Sequence, residues 1–295
     1  MTARSPLVST EWLGQAAAAD VVVLDASVFL DPPSAAGAGV FRSGRDAFVT
    51  EGHIPGARFA DLFAAFSDAQ SPLPFTRPTR LQFEEAAGVL GIGPDTHVVI
   101  YDRLVGQWAS RLWWVFRSFG HAQVSVLDGG LKRYVAEGGV VVTGEPGPVE
   151  RVDYIAPDAA HHVATRQDVV DIVEQKADGV LVCLLQAADF EGAISVRQRA
   201  GHIPGSVNVP FNRLLDPATN RLKSSEELKA IFAEAAGLNG RPIITYCGGG
   251  IASTLGALAL ASIGYDNTSE YDGSLAEWVA DDTLPMELGP ARRGD

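Results

Sequence analysis

The chain repeats a set of short motifs in the same order in its two halves. The segment GHIPGA at 52–57 returns as GHIPGS at 201–206, and VLDGG at 126–130 is echoed by EYDGS at 270–274. His-Ile-Pro-Gly on its own would be only a turn signal. Ordered matches at nearly one spacing indicate a divergent duplication, which restricts the chain to two domains of similar fold.

Each half alternates short apolar stretches with amphipathic helices. Two capping boxes open corresponding helices, Thr79 with Gln82 and Ser224 with Glu227. This alternation predicts an α/β fold in which each domain is a parallel sheet with helices on both faces. We expect the domains at residues 8–140 and 165–288, joined by a linker at 141–164 that is rich in Pro, Gly and charge.

Composition excludes several classes of protein. The net charge is −13 over 295 residues, and an acidic surface repels nucleic acid and anionic membranes. No apolar run approaches the roughly 20 residues that span a bilayer, and the N-terminus lacks the apolar core of a secretory signal. We therefore expect a cytoplasmic protein with neither nucleic acid nor membrane as partner. Two cysteines are too few for a disulfide framework or a cysteine-rich metal site, and no metal is expected.

The strongest candidate for chemistry is Cys247. It follows the apolar stretch at 242–246 and precedes a glycine loop and an apolar helix. The end of a strand in a parallel sheet is where ligands bind, and the free N–H groups and dipole of a helix start stabilise a thiolate. The alternative is a small buried hydrophobe between a strand and a turn. The other cysteine, Cys183, lies in the strand-like segment 179–185, which predicts an inert core thiol.

The loop after Cys247 is predicted to bind an anion. Consecutive glycines let successive N–H groups point to one centre, and the helix that begins near Ile251 adds its dipole. The candidate substrate-binding residues of this loop are Gly248, Gly249, Gly250, Ile251, Ala252 and Ser253.

The first half lacks both the cysteine and the tight glycine loop. Aligning the repeats places Asp102 opposite Cys247, and a longer segment replaces the glycine loop. We interpret the first domain as non-catalytic, with Trp108, Trp113 and Trp114 as core or domain-interface aromatics. The role of Asp102 stays open between a vestigial site residue and an interdomain contact.

Several motifs together resemble the two-domain rhodanese-like sulfurtransferases, which include thiosulfate and 3-mercaptopyruvate sulfurtransferases. They span nearly the whole chain in order: the two HIPG repeats, Tyr101-Asp102, 109–114, 127–130, 247–251 and 271–278. The resemblance implies two tandem rhodanese-like domains, the second catalytic. It also implies that Cys247 takes sulfur from a donor as a persulfide and passes it to cyanide, thioredoxin or another thiol, without a metal or organic cofactor.

The expected donor is a small anion, thiosulfate or 3-mercaptopyruvate. Thiosulfate-using members of the family tend to carry a basic residue in the loop, so the neutral glycines weakly favour 3-mercaptopyruvate. Members that use 3-mercaptopyruvate often have a serine at position 249, where this chain has glycine. Members of the family have arginines that bind the donor in this part of the second domain. Here Asp189 takes the place of an expected arginine and Glu191 lies nearby, and both would repel an anion. The remaining basic candidates are Arg197 and Arg199.

Two further readings of the site stay open. Cysteine phosphatases also have a loop of anion-binding N–H groups after the cysteine. They need an arginine six positions after that cysteine, where this chain has Ser253. A non-catalytic sulfur carrier or regulatory module that receives persulfide from a protein partner would fit the missing donor arginines. His53 and His202, one in each repeated turn, are predicted to bond backbone rather than act as bases, because His53 lies in the half without the cysteine.

Overall fold

The computed structural model describes residues 5–16, 21–31, 39–157, 162–194 and 197–291. Residues 158–161 of the predicted linker and the first four residues lie outside these ranges. In the described part, no helix is long and apolar enough to cross a bilayer.

The chain separates into two compact units. One comprises Met1–Ala159 with Thr219–Arg221, and the other Ala160–Ala218 with Leu222–Asp295. Each unit is described separately below.

The first unit alternates strands and helices, apart from three successive strands after its first helix. Its described elements are β1 (Leu7–Val8), α1 (Thr10–Gln15), β2 (Val21–Asp25), β3 (Val28–Asp31), β4 (Val40–Ser43), α2 (Arg45–Thr50), β5 (Arg58–Phe59), α3 (Arg80–Val89), β6 (His97–Tyr101), α4 (Gln107–Ser118), β7 (Val124–Leu127) and α5 (Gly130–Ala136). Five strands form a parallel sheet in the order β1-β7-β6-β2-β5, while β3 and β4 pair as an antiparallel ribbon.

The second unit repeats this plan. Its described elements are β8 (Val163–Ala164), α6 (Arg166–Val173), β9 (Val180–Cys183), α7 (Ala187–Phe190), β10 (Val207–Asn208), a 3₁₀ turn (Phe211–Leu214), α8 (Ser225–Ala236), β11 (Ile243–Tyr246), α9 (Ala252–Ser262), β12 (Thr268–Tyr271) and α10 (Ser274–Trp278). The parallel sheet runs β8-β12-β11-β9-β10, which is the strand order of the first sheet. The shared topology confirms the α/β fold of two similar domains.

Helices cover both faces of the second sheet. Along β11, Ile244 and Tyr246 pack into a cluster with Val169 of α6 and Trp278 of α10. The neighbouring Ile243 joins the opposite cluster, which contains side chains of α8 and α9. Alternate residues of a strand point to opposite faces, so a strand buried on both sides carries mostly apolar residues.

Capping residues fix where the helices begin, as the sequence predicts. Thr79 caps α3 and Ser224 caps α8, and in both boxes the third residue of the helix bonds back to the cap. Trp108, Trp113 and Trp114 of α4, predicted to be core or domain-interface aromatics, are all buried.

Candidate active site

Cys247 lies immediately after β11, at the carboxyl edge of the second sheet. Its side chain is buried, with 3% of its surface exposed. The turn that opens α10 holds its backbone: Cys247 N–H donates to Ser274 Oγ at 3.1 Å, and the carbonyl of Cys247 accepts from Leu275 N–H at 3.1 Å. The Asp-Gly-Ser turn at 272–274 is therefore in contact with the start of the loop.

The backbone after Cys247 presents a set of hydrogen-bond donors. Within the ranges that the structure describes, five consecutive or near-consecutive N–H groups donate to no protein acceptor, those of Gly248, Gly249, Ile251, Ala252 and Ser253. They lie between the end of β11 and the first turn of α9, where the helix dipole adds positive potential. Such a segment is suited to bind negative charge on or near the sulfur.

One glycine of the loop is required by its conformation. Gly250 has a φ of 74°, in the left-handed region that side chains with a Cβ disfavour. Gly249 does not share this restriction, and a Cβ built on it meets no atom within 4 Å.

We expect Gly250→Ala to lower the unfolding free energy of the second domain by about 1–2 kcal/mol, because alanine is strained at this φ. The matched variant Gly249→Ala should change it by less than about 0.5 kcal/mol. Urea denaturation of both variants checks this. Equal losses in the two variants would contradict the assigned loop conformation.

A buried polar chain reaches the sulfur from the sheet. Ser253 Oγ lies 3.3 Å from Cys247 Sγ and also donates to Glu270 Oε1. Thr245 Oγ1 donates to the other carboxylate oxygen of Glu270 at 2.5 Å. All three polar partners are fully buried. Sequence reasoning missed Glu270; the available signal was a charged residue inside a buried strand.

Arg197 lies beside the loop and is paired with a carboxylate. Its guanidinium pairs with the carboxylate of Asp189, and both side chains are mostly buried, at 12% and 18% exposure. A Cβ built on Gly248 would lie 3.4 Å from Arg197 Nη1, which places the guanidinium against the start of the loop. The charges of Asp189 and Arg197 offset each other, so the repulsion expected from Asp189 is reduced.

Arg199 is directed elsewhere. Its guanidinium donates to the carbonyl of Asp281 at 2.9 Å and to the carbonyl of Leu284. These bonds hold the segment that follows α10. Glu191, the other acidic residue expected to repel an anion, is exposed.

The two repeated histidines have the predicted structural role. His202 Nδ1 lies 2.8 Å from the carbonyl of Phe190 and its ring stacks on the Phe190 ring, and His53 makes the same pair of contacts with Phe48. Burial holds the pKa of His202 below its ordinary value, so the ring is neutral at pH 7.

Cys183 is the buried strand thiol that the sequence predicts. It is fully buried at the end of β9, paired in register with Tyr246. Burial raises its pKa to about 12, which leaves it protonated and unreactive at neutral pH.

The first domain carries the counterpart of the site, with a carboxylate in place of the sulfur. The Asp102 side chain is fully buried and accepts four backbone N–H bonds, from Leu104 at 2.8 Å and from Gly106, Trp108 and Ala109 at 3.0 Å each. Burial raises the pKa of this carboxyl, and the four N–H donors act in the opposite direction. This segment is a loop of N–H donors whose acceptor is a carboxyl side chain of the same domain.

The backbone contact that holds Cys247 is repeated at Asp102. The carbonyl of Asp102 accepts from Leu131 N–H at 3.0 Å, as that of Cys247 accepts from Leu275. The two loops are therefore equivalent positions of one duplicated architecture.

Comparison with known proteins agrees with this geometry. The family model for the rhodanese-like domain matches twice, at residues 10–137 and 165–281. Thiosulfate sulfurtransferase of Gallus gallus is 36% identical over 280 residues, covering 92% of each chain. The 3-mercaptopyruvate sulfurtransferase of Rattus norvegicus is 34% identical over 284 residues, covering 92% of this chain and 91% of that protein.

A solved structure of a relative has the same fold. The crystal structure of SseA from Escherichia coli, described as a 3-mercaptopyruvate sulfotransferase with the rhodanese fold, superposes with a TM-score of 0.79 at 30% identity. The match covers 92% of this chain and 99% of that one. The chain therefore belongs to the family of rhodanese-like sulfurtransferases, which confirms the resemblance noted in the sequence.

Proposed function

We propose that this protein moves a sulfur atom from a small anionic donor to a thiol or to cyanide through a persulfide on Cys247. The observation that carries the proposal is the position of this sulfur, at a strand end and beside a loop of N–H groups that donate to no acceptor in the described part of the chain. The relatives with the same two domains are named sulfurtransferases.

The chemistry divides into two displacements. The Cys247 thiolate attacks the outer sulfur of the donor and forms an S–S bond. With thiosulfate, the donor S–S bond breaks and its electron pair leaves with sulfite. With 3-mercaptopyruvate, the C–S bond breaks, its electron pair stays on carbon, and the thiol proton ends on that carbon to give pyruvate.

In the second displacement an acceptor attacks the outer sulfur of the persulfide. The acceptor is cyanide, thioredoxin or a low-molecular-weight thiol in its thiolate form, and the electron pair of the S–S bond returns to Cys247 Sγ. The loop N–H groups offset the negative charge in both the thiolate and the persulfide. The two steps need no metal or organic cofactor, and we assign the reaction to the cytoplasm.

The charges around the loop favour 3-mercaptopyruvate over thiosulfate as donor. Thiosulfate brings two negative charges, whereas 3-mercaptopyruvate brings one carboxylate. The loop itself carries no charged side chain, and Asp189 already offsets part of the charge of Arg197. A donor with one negative charge is therefore the better match.

Steady-state kinetics test the two-step scheme. When donor and acceptor concentrations are both varied, double-reciprocal plots should give parallel lines, because donor product leaves before acceptor reacts. Intersecting lines would show that both substrates bind together. Activity with a protein-bound persulfide but with neither small donor would favour the alternative, a sulfur carrier.

Arg197 is the proposed anchor for the donor anion. We expect Arg197→Ala to raise KM for an anionic donor by about ten- to a hundredfold, with a smaller change in kcat, because a charge-assisted hydrogen bond is lost. Initial-rate measurements with 3-mercaptopyruvate check this.

Asp189→Asn is the matched variant, in which the change in KM should not follow that of Arg197→Ala. It keeps the cation and removes the carboxylate that offsets it, so KM for the same donor should fall or stay constant. If Arg197→Ala left KM unchanged, or if both variants raised it equally, the anion would be held elsewhere.

A further inference from the structure

Glu270 is a fully buried carboxylate connected to the sulfur of Cys247 by one hydroxyl. It lies on β12, next to β11, and accepts from Ser253 through Oε1 and from Thr245 through Oε2. Ser253 Oγ is in turn 3.3 Å from Cys247 Sγ. Carboxylate, hydroxyl and thiol therefore form one continuous hydrogen-bonded chain.

The hydroxyl in the middle has only one proton to donate. When it donates to Glu270, Ser253 Oγ can accept from the thiol of Cys247; when it donates to the sulfur, it can accept from a protonated Glu270. The two arrangements carry the same number of protons and the same single negative charge. They differ in whether that charge is on the carboxylate or on the sulfur.

The surroundings of the two ends favour charge on the sulfur. Cys247 directly precedes the N–H groups of the loop and the first turn of α9, which stabilise an anion at this end of the helix. Glu270 lies in the interior of the domain between strands, where burial disfavours the ionised form. Two adjacent negative charges on one chain of hydrogen bonds are disfavoured as well.

We propose that Glu270 is a positioning residue that holds the proton of Cys247, received through Ser253, and thereby maintains the thiolate at neutral pH. The proton leaves Cys247 Sγ for Ser253 Oγ while the Ser253 hydroxyl proton passes to Glu270 Oε1. No oxidant, reductant or further reactant takes part. This inference rests on the proposed function of Cys247 as the nucleophile.

Infrared spectroscopy of the full chain tests where the proton is. The difference spectrum of wild type minus Glu270→Gln should show the carbonyl band of a buried carboxylic acid at neutral pH, because other buried carboxyl groups such as Asp102 contribute equally to both proteins. Cys247→Ser should weaken this band, because the negative charge on the sulfur, which favours the protonated form of Glu270, is lost. A band absent from the difference spectrum, or equally strong in Cys247→Ser, would overturn the inference.

Rates of sulfur loading provide a second, independent measurement. We expect Glu270→Gln and Ser253→Ala each to slow persulfide formation from 3-mercaptopyruvate by about tenfold, and the double variant to be no slower than the slower single one, since both interrupt the same chain. Ser206→Ala is the matched control, a buried hydroxyl of the same domain that pairs with Tyr246 OH at 2.8 Å. It should load sulfur at the wild-type rate.

The two proposals fail in different ways. If wild-type protein forms no persulfide with any donor, the proposed function fails, whatever the infrared band shows. If wild type forms persulfide and the single variants load sulfur at its rate, or the double variant shows the product of two independent losses, only the role of Glu270 fails.

Discussion

Cys247→Ser should lower the rate of sulfur transfer by at least about 10³-fold with every donor, because removing a nucleophile removes the covalent route. Serine is close to cysteine in size, and the backbone bonds to Ser274 and Leu275 do not involve the sulfur. The fold should therefore persist, and near-native unfolding behaviour of the variant confirms that the loss is chemical. Initial rates with 3-mercaptopyruvate and cyanide check the expectation.

Cys183→Ala is the matched control for this prediction. Its thiol is fully buried at the end of β9, and its raised pKa keeps it protonated. The variant should be somewhat less stable but should keep its transfer activity. Appreciable turnover by Cys247→Ser, or loss of turnover in folded Cys183→Ala, would contradict the assignment of the nucleophile.

Asp102→Ala should be the most destabilising single change in the first domain among those considered, lowering its unfolding free energy by about 3 kcal/mol or more. The variant removes a fully buried carboxylate and leaves four N–H groups without their acceptor. Each buried donor left unsatisfied costs about 1–3 kcal/mol, although the effects are not additive. The cavity left by the side chain adds to the loss.

Tryptophan fluorescence during urea denaturation measures this effect, because four of the five tryptophans, Trp12, Trp108, Trp113 and Trp114, belong to the first domain. Asp61→Ala is the control: its carboxylate also accepts two N–H bonds, but at an exposed turn. It should cost no more than about 1 kcal/mol. Similar losses in the two variants would show that burial of the Asp102 carboxylate does not determine its contribution to the unfolding free energy.

The repeated turns and capping boxes were sufficient to predict two similar α/β domains because these signals are local. Thr79 and Ser224 cap helices with a partner three residues away, and such short-range hydrogen bonds depend little on the rest of the fold. The position of Cys247 was predictable for the same reason, since a strand, a glycine loop and an apolar helix follow each other directly in the sequence.

The polar partners of the sulfur could not be predicted in this way. Glu270 meets Ser253 across 17 residues of sequence, and the packing of α9 against β12 brings them together. The pairing of Asp189 with Arg197 likewise depends on the path of the chain between them. Sequence reasoning therefore treated the two charges separately and expected repulsion from Asp189.

The role of Asp102 also required the structure. Alignment of the repeats placed it opposite Cys247 but left open what it does there. The four N–H bonds to its side chain show that the N–H donors of this loop find their acceptor in a carboxyl group of the chain itself. The corresponding loop of the second domain has donors of the same kind beside Cys247.

The most direct test of the persulfide on Cys247 is intact-protein mass spectrometry after separate exposure to 3-mercaptopyruvate and to thiosulfate. Wild-type protein should gain the mass of one sulfur atom, more readily from 3-mercaptopyruvate, and should lose it when cyanide is added. Cys247→Ser should gain nothing. Folded wild-type protein that gains no sulfur from either donor, or Cys247→Ser that gains it equally, would contradict the proposal.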